Sequence, residues 1–215
     1  MKVSVFGTGM VGLAHAEKLF ELGHEVVVGT NDVEKTIKEN GGWFKEHSKV
    51  QLLTFPEAAD YGEIIFEALR GSGAVKVLKP LANKLAGKIL IDISNPLDFS
   101  KGMPPSLFVT NTDSLGEQIQ NALPKTKVVK SFNTMNASLQ VNPNLLAKGD
   151  HQIFISGNDV EAKSKVVEIL KSYGWKNILD LGDITASRAT ESLMLVWLRL
   201  MDVLKTPMFN YKIIK

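Results

Sequence analysis

Short apolar runs alternate along the whole chain with stretches whose apolar residues recur at helical spacing. The short runs predict strands at residues 3–6, 26–28, 51–53, 64–68, 89–93, 127–131, 152–156 and 178–181. The stretches at residues 10–22, 32–39 and 160–173 predict helices, with Asp32 as an N-cap and Gly174 as a C-terminal stop. This alternation is typical of an α/β protein with a Rossmann-type, doubly wound and mostly parallel sheet.

The first predicted strand runs into a segment with the spacing G-x-G-x-x-G. Its residues are Gly7, Thr8, Gly9, Met10, Val11 and Gly12. In dinucleotide-binding units the first glycine permits a tight turn, the second lets the backbone approach the pyrophosphate, and the third lets the helix pack close to the strand. Glycine turns are common, but this one follows an apolar strand and opens a helix, which favours nucleotide binding.

The second predicted strand ends in Thr30 and Asn31, where NAD-binding units usually carry an acidic residue that holds the ribose. An acid would repel the 2′-phosphate of NADP, whereas the Thr30 hydroxyl can donate to a phosphate oxygen and Lys35 can supply a cation. We therefore expect NADP as the cofactor, with NAD less favoured. Two alternatives stay open: Lys35 as a solvated surface lysine, and Asp32 as either an N-cap or a ribose ligand for NAD.

A proline-rich segment at residues 95–105 directly follows the buried strand at 89–93. The prolines and glycine predict a loop. Ligands of open α/β sheets bind at the carboxyl ends of the strands, so we expect this loop to form part of a site.

The C-terminal part of the chain differs from the rest. Residues 185–204 predict one long helix that is apolar over more than half of its circumference, with Arg199 and Asp202 able to share one face. A helix this apolar must be buried, and a second subunit is its natural partner, so we predict a homodimer. We divide the chain into a dinucleotide-binding domain, residues 1–182, and a C-terminal helix and tail, residues 183–215, at the dimer interface.

Composition excludes several classes of protein and site. With 44% hydrophobic and 22% charged residues the chain is typical of a globular protein, and a net charge of +2 without a basic cluster gives no support for a nucleic-acid partner. The absence of cysteine, together with a first strand beginning at Lys2, predicts a cytoplasmic protein. The most apolar run, residues 192–204, is too short to span a membrane. No spacing of His, Asp or Glu indicates a metal site, and no catalytic residue is predicted.

Five stretches together carry a family resemblance: FGTGMVG, GHEVVVGTNDVEK, GKILIDISNPLDF, VVKSFNTMNA and DLGDITASRATESL. They resemble the NADPH-dependent reductases of the deazaflavin coenzyme F420, whose nucleotide domain recurs as the cytosolic part of the six-transmembrane ferric reductases. The resemblance covers nearly the whole chain and is especially close to a bacterial branch described mostly as NADP oxidoreductases. It implies hydride transfer between the nicotinamide and a deazaflavin (coenzyme F420), a flavin or a similar acceptor. Such transfer depends on orientation, stacking and water exclusion more than on an acid or base.

The resemblance also implies roles for individual residues. In the family the second strand ends in Gly-Ser/Thr-Arg, so Asn31 replaces an arginine that would clamp the 2′-phosphate, which weakens the expected preference for NADP. The residues assigned to the nicotinamide half are Ser94, Asn95, Pro96, Asn133 and Ala137, and Ala68 is assigned to cofactor binding without a further role. For Asn95 and Asn133 the alternative is turn capping.

Arg70 departs from the small or apolar residues that the family usually carries at this strand end. It could meet an anionic substrate or a cofactor phosphate, or it could form a structural ion pair with Glu67. Two functions remain in competition: an NADP(H)-dependent reductase, and a non-catalytic NADP(H)-binding protein that senses redox state. No residue of the sequence identifies the acceptor.

Overall fold

The computed structural model describes all 215 residues. Its strands are β1 (Lys2–Phe6), β2 (Glu25–Thr30), β3 (Gln51–Thr54), β4 (Ile64–Glu67), β5 (Ile89–Asp92), β6 (Leu97–Asp98), β7 (Ser106–Leu107), β8 (Lys127–Ser131), β9 (Gln152–Gly157) and β10 (Asn177–Asp180). Its helices are α1 (Met10–Glu21), α2 (Val33–Glu46), α3 (Phe55–Tyr61), α4 (Gly71–Leu78), α5 (Ala82–Leu85), α6 (Leu115–Ala122), α7 (Ala137–Val141), α8 (Val160–Ser172) and α9 (Ser187–Leu204).

Eight of the strands form one sheet in the order β10-β9-β8-β5-β4-β1-β2-β3. All its neighbouring pairs are parallel except β8 and β9. The predicted Rossmann-type, mostly parallel sheet is therefore confirmed. The strand order changes direction at β1, which lies between β2 and β4. This is the switch point at which such sheets bind their ligands.

Helices cover both faces of the sheet. On one face, α1, α2, α7 and α8 enclose a core that includes Leu19, Phe132 and Trp175. On the other, α3, α4, α5 and α6 enclose a second core that includes Phe6 and Leu90. Because both faces are covered, the central strands are apolar on both sides, which explains why the sequence shows them as continuous apolar runs.

Two local expectations require correction. The helix predicted to end at residue 39 continues to Glu46, with a break at Asn40 (φ −122°, ψ 15°). The segment at residues 95–105 is not a loop throughout, because β6 begins within it and pairs antiparallel with β7. The Asp32 N-cap is confirmed, since its Oδ1 accepts from the backbone N of Lys35 at 2.9 Å.

The C-terminal helix is buried on one side only within a single chain. Met194, Trp197 and Leu198 are buried, whereas Val196 and Val203 are 48% and 67% exposed. After α9 the tail returns to the sheet, where the backbone N of Gln152 donates to the carbonyl of Tyr211 at 2.9 Å. The division at residue 182 stays a prediction. Across the chain, none of the helices combines the length and apolar character that a membrane crossing requires.

His15 is a fully buried polar group that joins α1 to α7 and α8. Its Nε2 lies 2.9 Å from Gln140 Oε1, and its Nδ1 lies 3.3 Å from the Tyr173 hydroxyl. Burial lowers the pKa of His15 from 6.5 to about 4, against the smaller opposing effect of Gln140. The His15 imidazole is therefore neutral in the folded protein at pH 7.

This gives a pH-dependent stability. Between pH 6.5 and 4 the unfolded chain binds a proton at His15 that the folded chain does not bind, so the free energy of unfolding falls as the pH is lowered, by about 3 kcal/mol at pH 4. Urea unfolding at pH 7 and pH 4 measures this. His15→Gln should be less stable at pH 7 but should lose less stability in this window. His24→Gln, at a partly exposed histidine, should keep most of the fall. An equal fall in His15→Gln would contradict the assignment.

Candidate functional site

The glycine segment leaves β1 through a turn that two of its glycines make possible. Gly7 has φ +118°, and a Cβ there would lie 2.6 Å from the Ala68 carbonyl oxygen. A Cβ on Gly12 would lie 2.1 Å from the Gly7 carbonyl oxygen. Gly9 differs, because an added Cβ meets nothing within 4 Å. The protein itself therefore requires Gly7 and Gly12, whereas the open face of Gly9 leaves room for a ligand.

The N-terminus of α1 lies beside that open face. Gly9 is its N-cap, and no side chain caps the helix. Leu13 is the first residue of the helix whose backbone N has a partner, the Gly9 carbonyl at 3.0 Å, so the N–H groups of Met10, Val11 and Gly12 are free. Free N–H groups and the positive end of the helix dipole bind anions. These residues fit the pyrophosphate of a dinucleotide.

Asn40 holds the glycine segment from the other side. Its Nδ2 donates to the Thr8 carbonyl at 3.2 Å, from the break in α2. Asn40 was not predicted as a site residue, although the two glycines that follow it indicate an irregular helix. The break in α2 thus places the side-chain amide of Asn40 against the glycine segment.

The end of β2 offers three exposed polar side chains and one buried hydroxyl. Thr30 is buried, and its Oγ1 lies 2.8 Å from Thr36 Oγ1. Asn31 is exposed, and Lys35 is exposed with its Nζ 3.9 Å from Glu39. Asp32 acts as the N-cap of α2, one of its two expected roles. The Thr30 hydroxyl can donate to a phosphate only if Thr36 is the donor in the bond between the two threonines. The predicted phosphate-binding roles of Thr30 and Lys35 stay predictions.

A cleft of about 190 Å³ opens at the switch point between β1 and β4. It is lined by Val11, Ala68, Leu69, Arg70, Gly71, Ile93, Ser94, Asn95, Leu97 and Phe99. The fold thus brings together five predicted site residues from three separate strand ends: Val11, Ala68, Arg70, Ser94 and Asn95. Leu97 and Phe99 also line the cleft, as expected for the segment at residues 95–105, although the sequence predicted neither these individual residues nor the β6–β7 pair.

Asn95 and Asn133 bind each other rather than cap turns. Asn95 Nδ2 donates to the Asn133 carbonyl, and Asn133 Nδ2 donates to Asn95 Oδ1, both at 2.9 Å. Asn133 Nδ2 also donates to the Thr190 carbonyl of α9 at 3.1 Å. Pro96 and Ala137 lie outside the lining of the cleft, and the Pro96 carbonyl accepts from Phe108 N. The nicotinamide roles of Pro96, Asn133 and Ala137 stay predictions.

The proposed ion pair between Glu67 and Arg70 is absent. Arg70 is exposed at the cleft, at the N-terminus of α4. Glu67 is fully buried, and its Oε1 accepts from the backbone N of Leu69 at 2.8 Å. Arg70 is therefore free to meet an anionic ligand, the other of its two expected roles.

A buried group of charges lies in one row beneath the cleft. Glu67, Asp92 and Lys130 are paired in register on β4, β5 and β8. Lys130 Nζ lies 2.9 Å from Asp92 Oδ2, 2.9 Å from Glu191 Oε1 of α9, and 2.6 Å from the Ser94 carbonyl. Burial alone lowers the pKa of Lys130, but Asp92 and Glu191 together raise it above its usual value. The ammonium ion therefore stays charged inside the protein.

Glu191 extends this group to α6. Its two carboxylate oxygens accept from the backbone N of Leu115 at 2.8 Å and of Gly116 at 2.9 Å, at the start of that helix. The roles of Glu67, Asp92, Lys130 and Glu191 were not predicted from the sequence. The available signal was a charged residue at the end of IIFE and of ILID, and next to the last residue of KVVKS.

Comparison with known proteins agrees with this geometry. Residues 2–96 match the family model described as NADP oxidoreductase, coenzyme F420-dependent. A crystal structure from Arthrobacter sp. FB24, assigned provisionally as an F420-dependent NADP-reductase, is 50% identical, with a TM-score of 0.98 over 100% of both chains. The F420-dependent NADP reductase of Methanocaldococcus jannaschii is 29% identical over 90% of this chain and 89% of that protein.

A rat metalloreductase, STEAP3, is 32% identical over 96% of this chain, but the chain spans only 38% of its length. The imine reductase of Aspergillus terreus, at 18% identity, 95% of this chain, 62% of that chain and a TM-score of 0.64, shares the fold. The full-length match at 50% identity decides the assignment, and the family model, which covers the glycine segment and most of the cleft residues, agrees with it. The chain belongs to the family of coenzyme F420-dependent NADP oxidoreductases.

Proposed function

We propose that this NADP-dependent oxidoreductase transfers a hydride between a nicotinamide bound at the switch-point cleft and a planar acceptor, either a deazaflavin such as coenzyme F420 or a flavin. One observation carries the proposal. The open face of Gly9 and the uncapped start of α1 lie next to the cleft, because Val11 in the first turn of α1 is one of the residues that line the cleft. A dinucleotide with its pyrophosphate on α1 would therefore have its nicotinamide beside Val11, Ala68 and Ser94.

The chain's own residues supply orientation and exclusion of water. When bound, the nicotinamide cofactor supplies the hydride at its C4. Val11, Ile93 and Leu97 give the cleft apolar walls, and Phe99, 47% exposed, presents a ring on which a planar acceptor can stack. Arg70 is placed to bind an anionic group of either partner. The named activities of the archaeal relatives support a deazaflavin as the acceptor.

An acceptor screen tests the proposal. NADPH oxidation is followed with coenzyme F420, FMN, FAD, quinones and ferric chelates. Turnover with a deazaflavin or flavin is the expected result. Binding of NADPH without turnover on any acceptor would favour the competing function, a non-catalytic redox sensor. The cytoplasmic location stays a prediction.

NADP preference should depend on the end of β2. Lys35→Ala should weaken NADPH binding about two- to fivefold and leave NADH binding unchanged, because an exposed ion pair contributes only a few tenths of a kcal/mol to about 1 kcal/mol. Calorimetric titration with each nucleotide measures this. Lys38→Ala, on the same helix and exposed, is the control and should change neither affinity. Equal losses for both nucleotides in Lys35→Ala would count against a phosphate role, and NADH binding as tight as NADPH in the wild type would remove the NADP assignment.

We also propose that α9 forms a homodimer interface. Its outer side exposes apolar residues, and a groove of about 600 Å³ separates it from Met103–Pro105. Light scattering at micromolar concentration should give twice the chain mass. Val196→Glu on α9 should give a monomer, whereas Val160→Glu on α8, where the valine is 72% exposed, should stay dimeric. A monomeric wild type would refute the interface.

A further inference from the structure

The buried charges beneath the cleft do not balance if every group is ionised. Glu67, Asp92 and Glu191 are three carboxyl groups around the single ammonium of Lys130, and all four side chains are at most 2% exposed. A net charge of about −2 in this region would be very costly, because buried ions require a partner. One carboxyl group is therefore protonated in the folded protein.

Hydrogen bonding identifies which group carries the proton. Both oxygens of Asp92 accept from donors, Oδ1 from Ser94 and Oδ2 from Lys130. Both oxygens of Glu191 likewise accept from backbone N–H groups. Glu67 Oε1 accepts from Leu69, but the buried Oε2 has no donor to accept from.

A proton on Glu67 Oε2 turns this unpartnered oxygen into a donor toward Asp92, its neighbour across the strand pair. The groups that face Glu67 agree with this. Burial, and then the Asp92 carboxylate of β5, raise the pKa of Glu67 well above its usual value, and the opposing effects of Leu69 N and of Lys130 on β8 are smaller. Glu191 of α9 lies beyond Lys130 and reduces the positive charge that Glu67 experiences.

One hydroxyl connects this carboxyl pair to the cleft. Ser94 Oγ donates to Asp92 Oδ1 at 2.7 Å, and Ser94 is one of the cleft residues. Neither Lys130 nor Glu191 lines the cleft. The order from the interior outward is therefore Glu67, Asp92, Ser94 and then the cleft.

We propose, building on the function above, that Glu67 and Asp92 hold one proton between them and that Ser94 delivers it to the acceptor as it is reduced. Hydride transfer adds two electrons and one hydrogen nucleus to the acceptor and leaves it one proton short. As the acceptor anion forms, the Ser94 hydroxyl turns from Asp92 Oδ1 toward the acceptor, and its O–H bond breaks as the proton moves to the anion. The Glu67 Oε2–H bond breaks in turn, and its proton passes by way of the Asp92 carboxylate to form a new O–H bond on Ser94 Oγ. The pair recovers a proton from water that enters the cleft after the product leaves.

Glu67→Gln separates this role from a structural one. The amide side chain of the variant has the shape of a neutral carboxylic acid, its oxygen can accept from Leu69, and its nitrogen can donate to Asp92, but it has no labile acid proton. If Glu67 is only structural, the variant behaves as the wild type. The inference predicts an unchanged melting temperature and an NADPH affinity within twofold, with turnover of NADPH with FMN or a deazaflavin lowered by about 100-fold.

Two readouts and a second variant complete the test. Infrared spectra of the protein without ligand at pH 7 should contain a protonated-carboxyl band that is lost in Glu67→Gln and kept in Glu63→Gln, a control at an exposed glutamate. The wild-type turnover should fall as the pH rises through the pKa of the carboxyl pair, and this limb should be missing in Glu67→Gln. Ser94→Ala should also lower turnover more than it weakens NADPH binding.

The outcomes distinguish this inference from the function on which it rests. Absence of the carboxyl band, or full turnover in Glu67→Gln, overturns the proton role and leaves the reductase intact. A carboxyl band without wild-type turnover on any acceptor overturns the proposed function and, with it, the delivery step.

Discussion

The buried ammonium of Lys130 connects the central sheet to the C-terminal helix. It joins the end of β5, through Asp92 and the Ser94 carbonyl, to Glu191 on the C-terminal helix. Glu191 in turn caps α6 through its start at Leu115. Loss of one partner from a buried pair costs about 3–5 kcal/mol, because the other charge remains in the interior. The position of α9 against the sheet therefore depends on this cation as well as on the apolar contacts of its half-buried face.

The same cation explains why acidic side chains are tolerated at the ends of two central strands. Parallel strands covered on both faces are normally apolar throughout, yet IIFE and ILID each end in an acid. These acids lie under the switch-point cleft, where ligands of such sheets bind. A structure selected only for stability could fill this row with apolar residues. The presence of this charged row beneath the candidate site agrees with the proposed role of Glu67 and Asp92 in holding a proton there.

Local sequence patterns predicted the features that depend on neighbouring residues. The apolar runs located all eight strands of the main sheet, and the glycine spacing located a turn whose geometry requires Gly7 and Gly12. They did not predict contacts between distant segments. The mutual bonding of Asn95 and Asn133 and the pairing of Lys130 with Glu191 arise only when strand order brings their elements together. The β6–β7 pair was missed for a different reason: its strands are two residues long, which is too short to show a period.

The end of β2 lacks both the acidic residue that would exclude NADP and the arginine that would bind its 2′-phosphate. Thr30 in place of an acid removes the repulsion that would exclude a 2′-phosphate, and the Asp32 carboxylate is occupied as an N-cap. Asn31 in place of the family's arginine removes the planar cation that would bind that phosphate in two places. What remains is Lys35, an exposed side chain whose nearest partner is Glu39 at 3.9 Å. An exposed, solvent-screened cation discriminates weakly, so the preference for NADP that we propose is expected to be smaller than it would be with an arginine at position 31.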